Sequence, residues 1–367
     1  MISKSPFLGV YYNATGQLVD MYSGQIITHD QIKPRMSPFN GVYLDKDGTR
    51  RNLADLLGGK GGGNGSSGGD PSHASGDVKV ALAIANDVYD GVDLTVMHAD
   101  EIALFDGNPW QWMQSRIRAG NFSGINLFDH IPFQIGTAWV MAEVAGINTY
   151  AGSGDVRIGS HIDFIGRDLF NQLSQWNFAN FSNGTAANPA PWMNCNIYAL
   201  LNGLAMDVPE STGINPSMRS VDYTITGIYP RMPEALRSVI VEKHVMVPQR
   251  FNTAAAQSNE TSSAWQDIGK LWLPSEVEVT GNAQFSGSMM PATHAHAVRG
   301  FIQYPIFAKS MKRRIKRASH GGNPANWWTL SNQGGNQSTV VNINTQGVAN
   351  NTQPTSSMRL PICFRIM

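Results

Sequence analysis

At 367 residues the chain is long enough to bury a sizeable core, in one large or two medium domains. Charged residues make up 15% and acids and bases balance at 27 each, which argues against a protein whose overall field attracts nucleic acid or an anionic membrane. The 37 glycines and abundant side-chain amides favour many short strands and loops over helical bundles.

Residues 1–57 read as a distinct β-rich unit. G-V-Y-Y-N-A-T-G-Q-L-V-D (Gly9–Asp20) and G-V-Y-L-D-K-D-G-T-R-R-N-L (Gly41–Leu53) share a Gly-Val-Tyr start, a polar turn with glycine and a return. Each predicts a small hairpin, with Asp47-Gly48 as a tight-turn signal. Asn52 is placed to cap a short helix over Leu53–Leu57. So small an apolar inventory hardly folds alone and needs neighbouring copies or another protein. Residues 58–77 follow, rich in Gly and Ser with no apolar residue before Ala74, the composition of a flexible tether. Lys60 lacks both the spaced upstream glycine and the following Ser/Thr of a phosphate loop, so that reading is excluded.

Residues 78–367 predict one α+β head. Apolar segments recur at Leu94–Met97, Ile131–Ile135, Trp139–Ala145, Asp155–Ile158, Val239–Val241 and Leu271–Leu273. Two helices are expected. One spans Ile162–Gln175, where Ile162, Ile165, Leu169, Phe170 and Leu173 share a face; the other spans Ile197–Gly203, started near Asn194 or Asn196. The best membrane candidate, Ile131–Ile147, is interrupted by Gln134, Gly136 and Glu143 and is too short to span. The first residues, M-I-S-K-S-P-F-L-G-V-Y-Y-N, lack the apolar run of a signal peptide, so a soluble chain without its own export signal is expected. Cys195 and Cys363, far apart, exclude a disulfide framework or a C-x-x-C zinc site. Cys363 alternates with apolar neighbours and reads as a buried thiol.

The last segment of the chain carries Y-P-I-F (Tyr304–Phe307), R-I-K (Arg314–Lys316), N-W-W-T-L-S (Asn326–Ser331) and R-L-P-I-C-F-R-I (Arg359–Ile366). That order resembles the C-terminal half of a C-type-lectin-like domain of the kind found in gut bacteria and their phages, with W-W-L-R-S-P … G-V-R-P-A. W-M-N-C-N-I-Y-A-L-L-N-G (Trp192–Gly203) is similar to that family's second helix. H-I-D-F-I-G-R-D-L-F (His161–Phe170), V-I-V-E-K-H-V (Val239–Val245) and K-L-W-L-P-S-E-V-E-V-T-G (Lys270–Gly281) fit the elements between, in order. The resemblance covers about Asp155 to Met367. It implies a C-type-lectin-like fold displaying a variable binding surface. Relatives of that kind are diversified by retroelements at Asn-rich positions near the C terminus, which would place variation in the Asn tract after the Trp pair.

Adjacent in a strand, Trp327 and Trp328 face opposite sides; one fills the core and the other is free to serve as a platform for a sugar ring. Around them Asn323, Asn326, Asn332, Gln333, Asn336, Gln337, Asn342, Asn344, Asn350 and Asn351 offer donors and acceptors without charge, suited to sugar or protein backbone; the same residues also populate turns. Asn323, Asn326, Trp327, Asn332, Gln333, Asn336, Asn342 and Asn344 are therefore the expected ligand-binding set. The run K-R-R-I-K-R (Lys312–Arg317) reads as a solvated face, or as a contact for phosphate-rich cell-surface polymers. His294-Ala295-His296 places two rings on one side of an extended segment, as a metal site on a threefold axis would need, but isolated pairs of this kind mostly bind nothing. No nucleophile–His–acid arrangement or pair of catalytic carboxylates stands at a recognisable spacing. The acidic sugar motifs of calcium lectins are missing, and so is the cysteine pair of the fold's formylglycine-generating enzymes.

The expectation is a non-enzymatic phage virion protein without a cofactor or resident metal. Residues 1–57 would anchor it to other capsid or tail proteins, 58–77 tether it, and the head bind a host cell-surface glycan or protein. A homotrimer follows by analogy with fibres, and neither nucleic acid nor membrane insertion is expected. The alternative is a purely structural head fibre or capsid-stabilising subunit.

Overall fold

A computed structural model describes the strand residues 10–12, 18–20, 42–44 and 50–52, and then residues 80–251, 262–287, 302–319 and 321–367. The chain divides into two compact units, Met1–Tyr89 and Asp90–Met367. In the first, β1 (Val10–Tyr12) pairs antiparallel with β2 (Leu18–Asp20), and β3 (Val42–Leu44) with β4 (Arg50–Asn52). Residues 80–85 are helical. The Asp47-Gly48 turn, the helix expected over Leu53–Leu57, the tether over 58–77 and the His294/His296 pair lie outside the described residues.

The second unit is built on two five-stranded sheets. The first has the order β11 (Ile240–Val241), β18 (Cys363–Ile366), β7 (Ile162–Gly166), β6 (Ala138–Ile147), β5 (His130–Ile135), antiparallel throughout. The second has the order β16 (Ala349–Thr352), β15 (Val340–Ile343), β14 (Trp327–Asn332), β17 (Ser357–Leu360), β8 (Phe170–Gln175), with β14 and β17 parallel. Two hairpins form small sheets of their own: β9 (Ala205–Pro209) with β10 (Met218–Asp222), and β12 (His244–Gln249) with β13 (Ser262–Asp267).

This overturns the α+β, two-helix, C-type-lectin-like expectation. The unit is mostly β, with fourteen strands in several sheets and few helices. The segment Ile162–Gln175 is not a helix but the strands β7 and β8. All five residues of β7 are buried, because the strand lies inside its sheet with both faces covered. Such a strand shows no polar/apolar alternation, and its apolar residues coincide with a helical spacing by accident. The expected helix at Ile197–Gly203 does form, over Asn196–Asn202. Its cap is Cys195, whose Sγ accepts from Tyr198 N at 3.3 Å. It ends on Gly203 at φ 66°, where a Cβ would meet Pro230 Cγ at 2.3 Å, so only glycine fits.

The longest helix among the described residues was not foreseen. α1 (Leu94–Met97) and α2 (Ala99–Ala103) lead to α3 (Pro109–Arg118), and further along the Asn196–Asn202 helix is α4 and Glu234–Arg237 is α5. Asn108 caps α3 by accepting from Trp110 N at 3.0 Å, and Pro109 supplies a preset first turn. Its apolar side packs on the first sheet, where Trp110 meets Phe133, Phe164 and Phe364 edge-on at 5.7, 6.1 and 5.8 Å, the geometry that aromatic quadrupoles favour.

One chain device joins the two sheets. β7 pairs with β18 in the first sheet, while their immediate neighbours β8 and β17 pair in the second. Residues 162–175 and 357–366 thus run side by side as one antiparallel ribbon that changes sheets midway. At the change, Gly166 N donates to Ile362 O at 2.8 Å, and Pro361 places a residue without N–H where the ladder breaks. The broken ladder leaves carbonyls to be satisfied inside the protein. Lys316 does this: buried, it donates from Nζ to Gly166 O at 2.5 Å and Arg167 O at 3.1 Å. Burial lowers its pKa to about 8. Leu169 N in turn donates to Arg317 O at 2.9 Å.

The basic run is therefore not a uniform solvated face. Lys316 is interior, and Arg313 pairs with buried Glu143 at 2.9 Å and with Asp90 at 2.6 Å. Replacing Lys316 by Met removes the donor to both carbonyls and is expected to cost about 1–3 kcal/mol, read as a lower urea midpoint with unchanged slope.

Candidate functional site

The eight residues expected to bind a ligand fall in three different places. Trp327 and Trp328 are both fully buried. The Trp327 Nε1 donates to Arg314 O at 3.1 Å and the Trp328 Nε1 to Ser174 O at 2.8 Å, so neither offers a platform to a sugar. Every residue of β14 is buried, because the strand lies between β15 and β17 and both faces are covered; Phe307 stacks on Trp327 at 6.4 Å. Asn332 and Asn342 are interior as well, donating to Ser182 O at 2.7 Å and to Met358 Sδ at 3.4 Å.

The remaining amides sit at opposite ends of the second sheet. At one end Asn326, exposed, accepts from Thr345 N at 3.1 Å, and Asn344 closes the β15–β16 turn by accepting from Gln346 N and Val348 N. Asn323, exposed, lies on the approach to β14 at that same end. At the other end Gln333 accepts from Asn351 Nδ2 at 2.8 Å and from the Thr339 hydroxyl, while exposed Asn336 accepts from Ser338 N at 2.9 Å. A six-residue strand separates the ends by roughly 20 Å. The structure does not bring the eight together.

It brings together instead a set of buried polar side chains drawn from between Tyr150 and Arg365. Asp163 on β7 receives Arg365 from the neighbouring β18 in a two-pronged ion pair, at 2.7 and 2.9 Å. Tyr304 donates its hydroxyl to Asp163 Oδ2 at 3.0 Å. Beside this pair, Lys243 and Tyr150 both donate to Glu278 Oε1. Glu278 also completes a capping box at the start of α6 (Glu276–Thr280), its Oε2 accepting from Ser275 N at 2.7 Å. The rings of Tyr150, Trp272 and Tyr304 surround the Lys243 ammonium at 5.0, 5.0 and 5.1 Å, a cation–π cage. All these groups, with His161, are buried.

The charge states follow from the partners. Burial alone would raise the Asp163 pKa, but the Arg365 charge and hydrogen bonds outweigh it and hold the carboxyl below its ordinary range. Burial lowers Lys243, against the pull of Glu278 and Asp163. Burial, with the carboxylates beside them, raises Tyr150 and Tyr304. His161 is pushed down by burial. Its Nε2 accepts from Tyr150 N at 3.1 Å, so the proton of the neutral ring sits on Nδ1, facing Gly159 O at 2.8 Å. The cluster is closed to solvent and internally bonded, an arrangement that positions chain segments.

A more accessible group sits on the β12–β13 hairpin. His244 reaches Asp267 from Nδ1 at 2.8 Å and Asp155 from Nε2 at 2.7 Å, and stacks on Trp265 at 5.8 Å. Its two carboxylates lie on opposite ring nitrogens, so they cannot converge on an ion. Among the described residues no group of three or more His, Cys, Asp and Glu is placed to hold a metal. Both cysteines are buried and free, their thiols pushed up by burial. Among the described residues no helix is long and apolar enough to cross a membrane.

A family model described as a domain of unknown function, DUF6273, matches residues 167–366. The chain belongs to that family. The matched stretch begins just after β7, so it includes Lys243, Glu278, Tyr304 and Arg365 and leaves out Tyr150, His161 and Asp163. No curated protein and no solved structure matches the chain.

Sequence reading missed the buried cluster because its members are scattered from Tyr150 to Arg365 without a local motif. The available signals were lone charges in apolar strands, I-D-F at Ile162–Phe164 and F-R-I at Phe364–Ile366, and the capping box Ser275-x-x-Glu278.

His244 generates a pH prediction. Burial would lower its pKa, but the hydrogen bonds and charges of Asp155 and Asp267 prevail and raise it above the ordinary 6.5. A raised folded-state pKa stabilises below the unfolded value, and that contribution is lost as pH rises through the folded one. The stability gap between wild type and His244→Gln should therefore be largest below pH 6.5 and shrink as pH rises above it, measured by urea unfolding across pH.

Proposed function

We propose that this chain is a displayed binding protein rather than an enzyme: residues 1–57 fix it to a larger assembly, residues 58–77 act as a tether, and the head makes the contact. The observation that carries this reading is the distribution of polarity in the head. The buried charges of its core are held by ion pairs and hydrogen bonds within the protein, while the turns at both ends of the second sheet expose uncharged amides and hydroxyls. Asn326 and Thr345 lie at one end and Asn336 at the other, with Gln346 in the β15–β16 turn and Asn350 on β16 just after it. Such groups recognise sugars or peptide backbone with low charge dependence. Weak contacts of this kind become useful when many copies share one particle, since effective concentration raises avidity without new contacts.

The assembly this reading favours is a bacteriophage particle, with a host cell-surface glycan or protein as ligand and a homo-oligomer, first of all a trimer, as the displayed form. Its support is the anchor, tether and head order of the sequence, not a lectin fold. The full chain, fluorescently labelled, should bind host cells and compete with adsorption of the particle that carries it. Asn336→Glu together with Gln346→Glu and Asn350→Glu should weaken binding by about tenfold, equivalent to about 1.4 kcal/mol, at unchanged thermal stability. A chain that neither binds cells nor slows adsorption at saturation would replace this reading with that of a structural subunit.

A further inference from the structure

The cage around Lys243 holds an amine and a carboxyl in a site with no access to water, and the rest of the molecule does not use that chemistry. Lys243 lies between β11 and β12, and Glu278 in the first turn of α6; both are fully buried. The Lys243 nitrogen has one polar partner among the described contacts, Glu278 Oε1, and is otherwise faced by the rings of Tyr150, Trp272 and Tyr304. The carboxyl is fixed at both oxygens, Oε1 by the Tyr150 hydroxyl and Oε2 by Ser275 N. Tyr150 is itself held, its hydroxyl oxygen accepting from Ile302 N at 3.2 Å. The acceptor carbon is therefore oriented and polarised by two donors, and the nucleophile is held against it.

We propose that Lys243 and Glu278 are a modification site at which the chain joins itself, Nζ to Cδ, through an intramolecular amide. The atoms balance without any added reagent. One proton passes along the existing hydrogen bond from ammonium to carboxylate, giving a neutral amine and a carboxylic acid. The Nζ lone pair attacks Cδ to form a tetrahedral adduct. The C–O bond to one oxygen then breaks, and that oxygen leaves as water, taking a proton that the nitrogen gives up across the contact it already makes with Glu278 Oε1. One N–C bond is made, one C–O bond is broken, one water is lost, and nothing is oxidised or reduced.

Burial favours this direction twice. An ion pair sealed among aromatic rings carries the desolvation cost of two charges, which a neutral amide does not. The reverse reaction needs water in a place where every lining group is buried. The depressed basicity of Lys243 acts in the same sense, since it raises the share of free amine. The neighbouring Asp163 does not compete for the nitrogen, because Arg365 and Tyr304 occupy both of its oxygens. The bond would tie the base of the β12–β13 hairpin to α6, a covalent loop across the unit that suits a head held on a particle.

Intact-mass measurement of the purified, denatured full chain tests this directly. The wild type should be lighter than its sequence mass by one water, and a tryptic digest should contain a branched peptide joining the segments of Lys243 and Glu278, uncut after Lys243. The Lys243→Met variant should show its full sequence mass. A wild type of full mass, a water loss mapped to other residues, or the same loss in Lys243→Met would each overturn the proposal. If Lys243→Met does not fold, the peptide map of the wild type decides alone.

Discussion

The head depends on a carbonyl-satisfaction problem and its solution by one lysine. Two segments far apart in sequence, residues 162–175 and 357–366, run together through both main sheets, and the ribbon has to break where it passes from one to the other. A break in a buried ladder leaves backbone oxygens in a place water does not reach. The Lys316 ammonium fills that place, with Gly166 O and Arg167 O as its partners. The desolvation it suffers is offset by hydrogen bonds of the charge-assisted kind, stronger than neutral ones. Because the same ribbon supplies two paired strands to each sheet, the sheets cannot separate without opening it.

The second buried cluster strengthens the first-sheet half of the ribbon. Asp163 and Arg365 sit opposite each other on β7 and β18, so their ion pair fixes register as well as adding attraction. A one-residue slip of either strand would carry its charge to the opposite face and part the pair. Tyr304, Tyr150, Glu278 and Lys243 extend the cluster to α6 and to the hairpin that begins at β12. The interior polarity of this head thus specifies which segments meet.

Different parts of this arrangement were legible to different degrees. The helix at Asn196–Asn202 could be read because apolar positions, a cap region and a terminal Gly203 all point the same way. The strands β7 and β8 could not, since burial on both faces erases the alternation that marks a strand, and the residues left over mimic a helical stripe. The Trp pair showed its strand but not its depth: adjacent residues do face opposite sides, yet both sides of β14 are covered. Lys316 looked like part of a solvated basic run because charge ordinarily marks the surface, and only the partner carbonyls, some 150 residues away, explain its position. The amides of Asn332 and Asn342 were recognisable as hydrogen-bonding groups, but whether they served a ligand or the fold depended on neighbours such as Ser182 and Met358.

The coupling of the two sheets can be measured by native-state hydrogen exchange. If the ribbon holds them as one cooperative unit, amides of β7 and β18 and those of β8 and β17 will exchange with a single opening free energy, equal to that of global unfolding. Exchange of the β8 and β17 amides at a distinctly lower free energy, while β7 and β18 stay protected, would contradict the account.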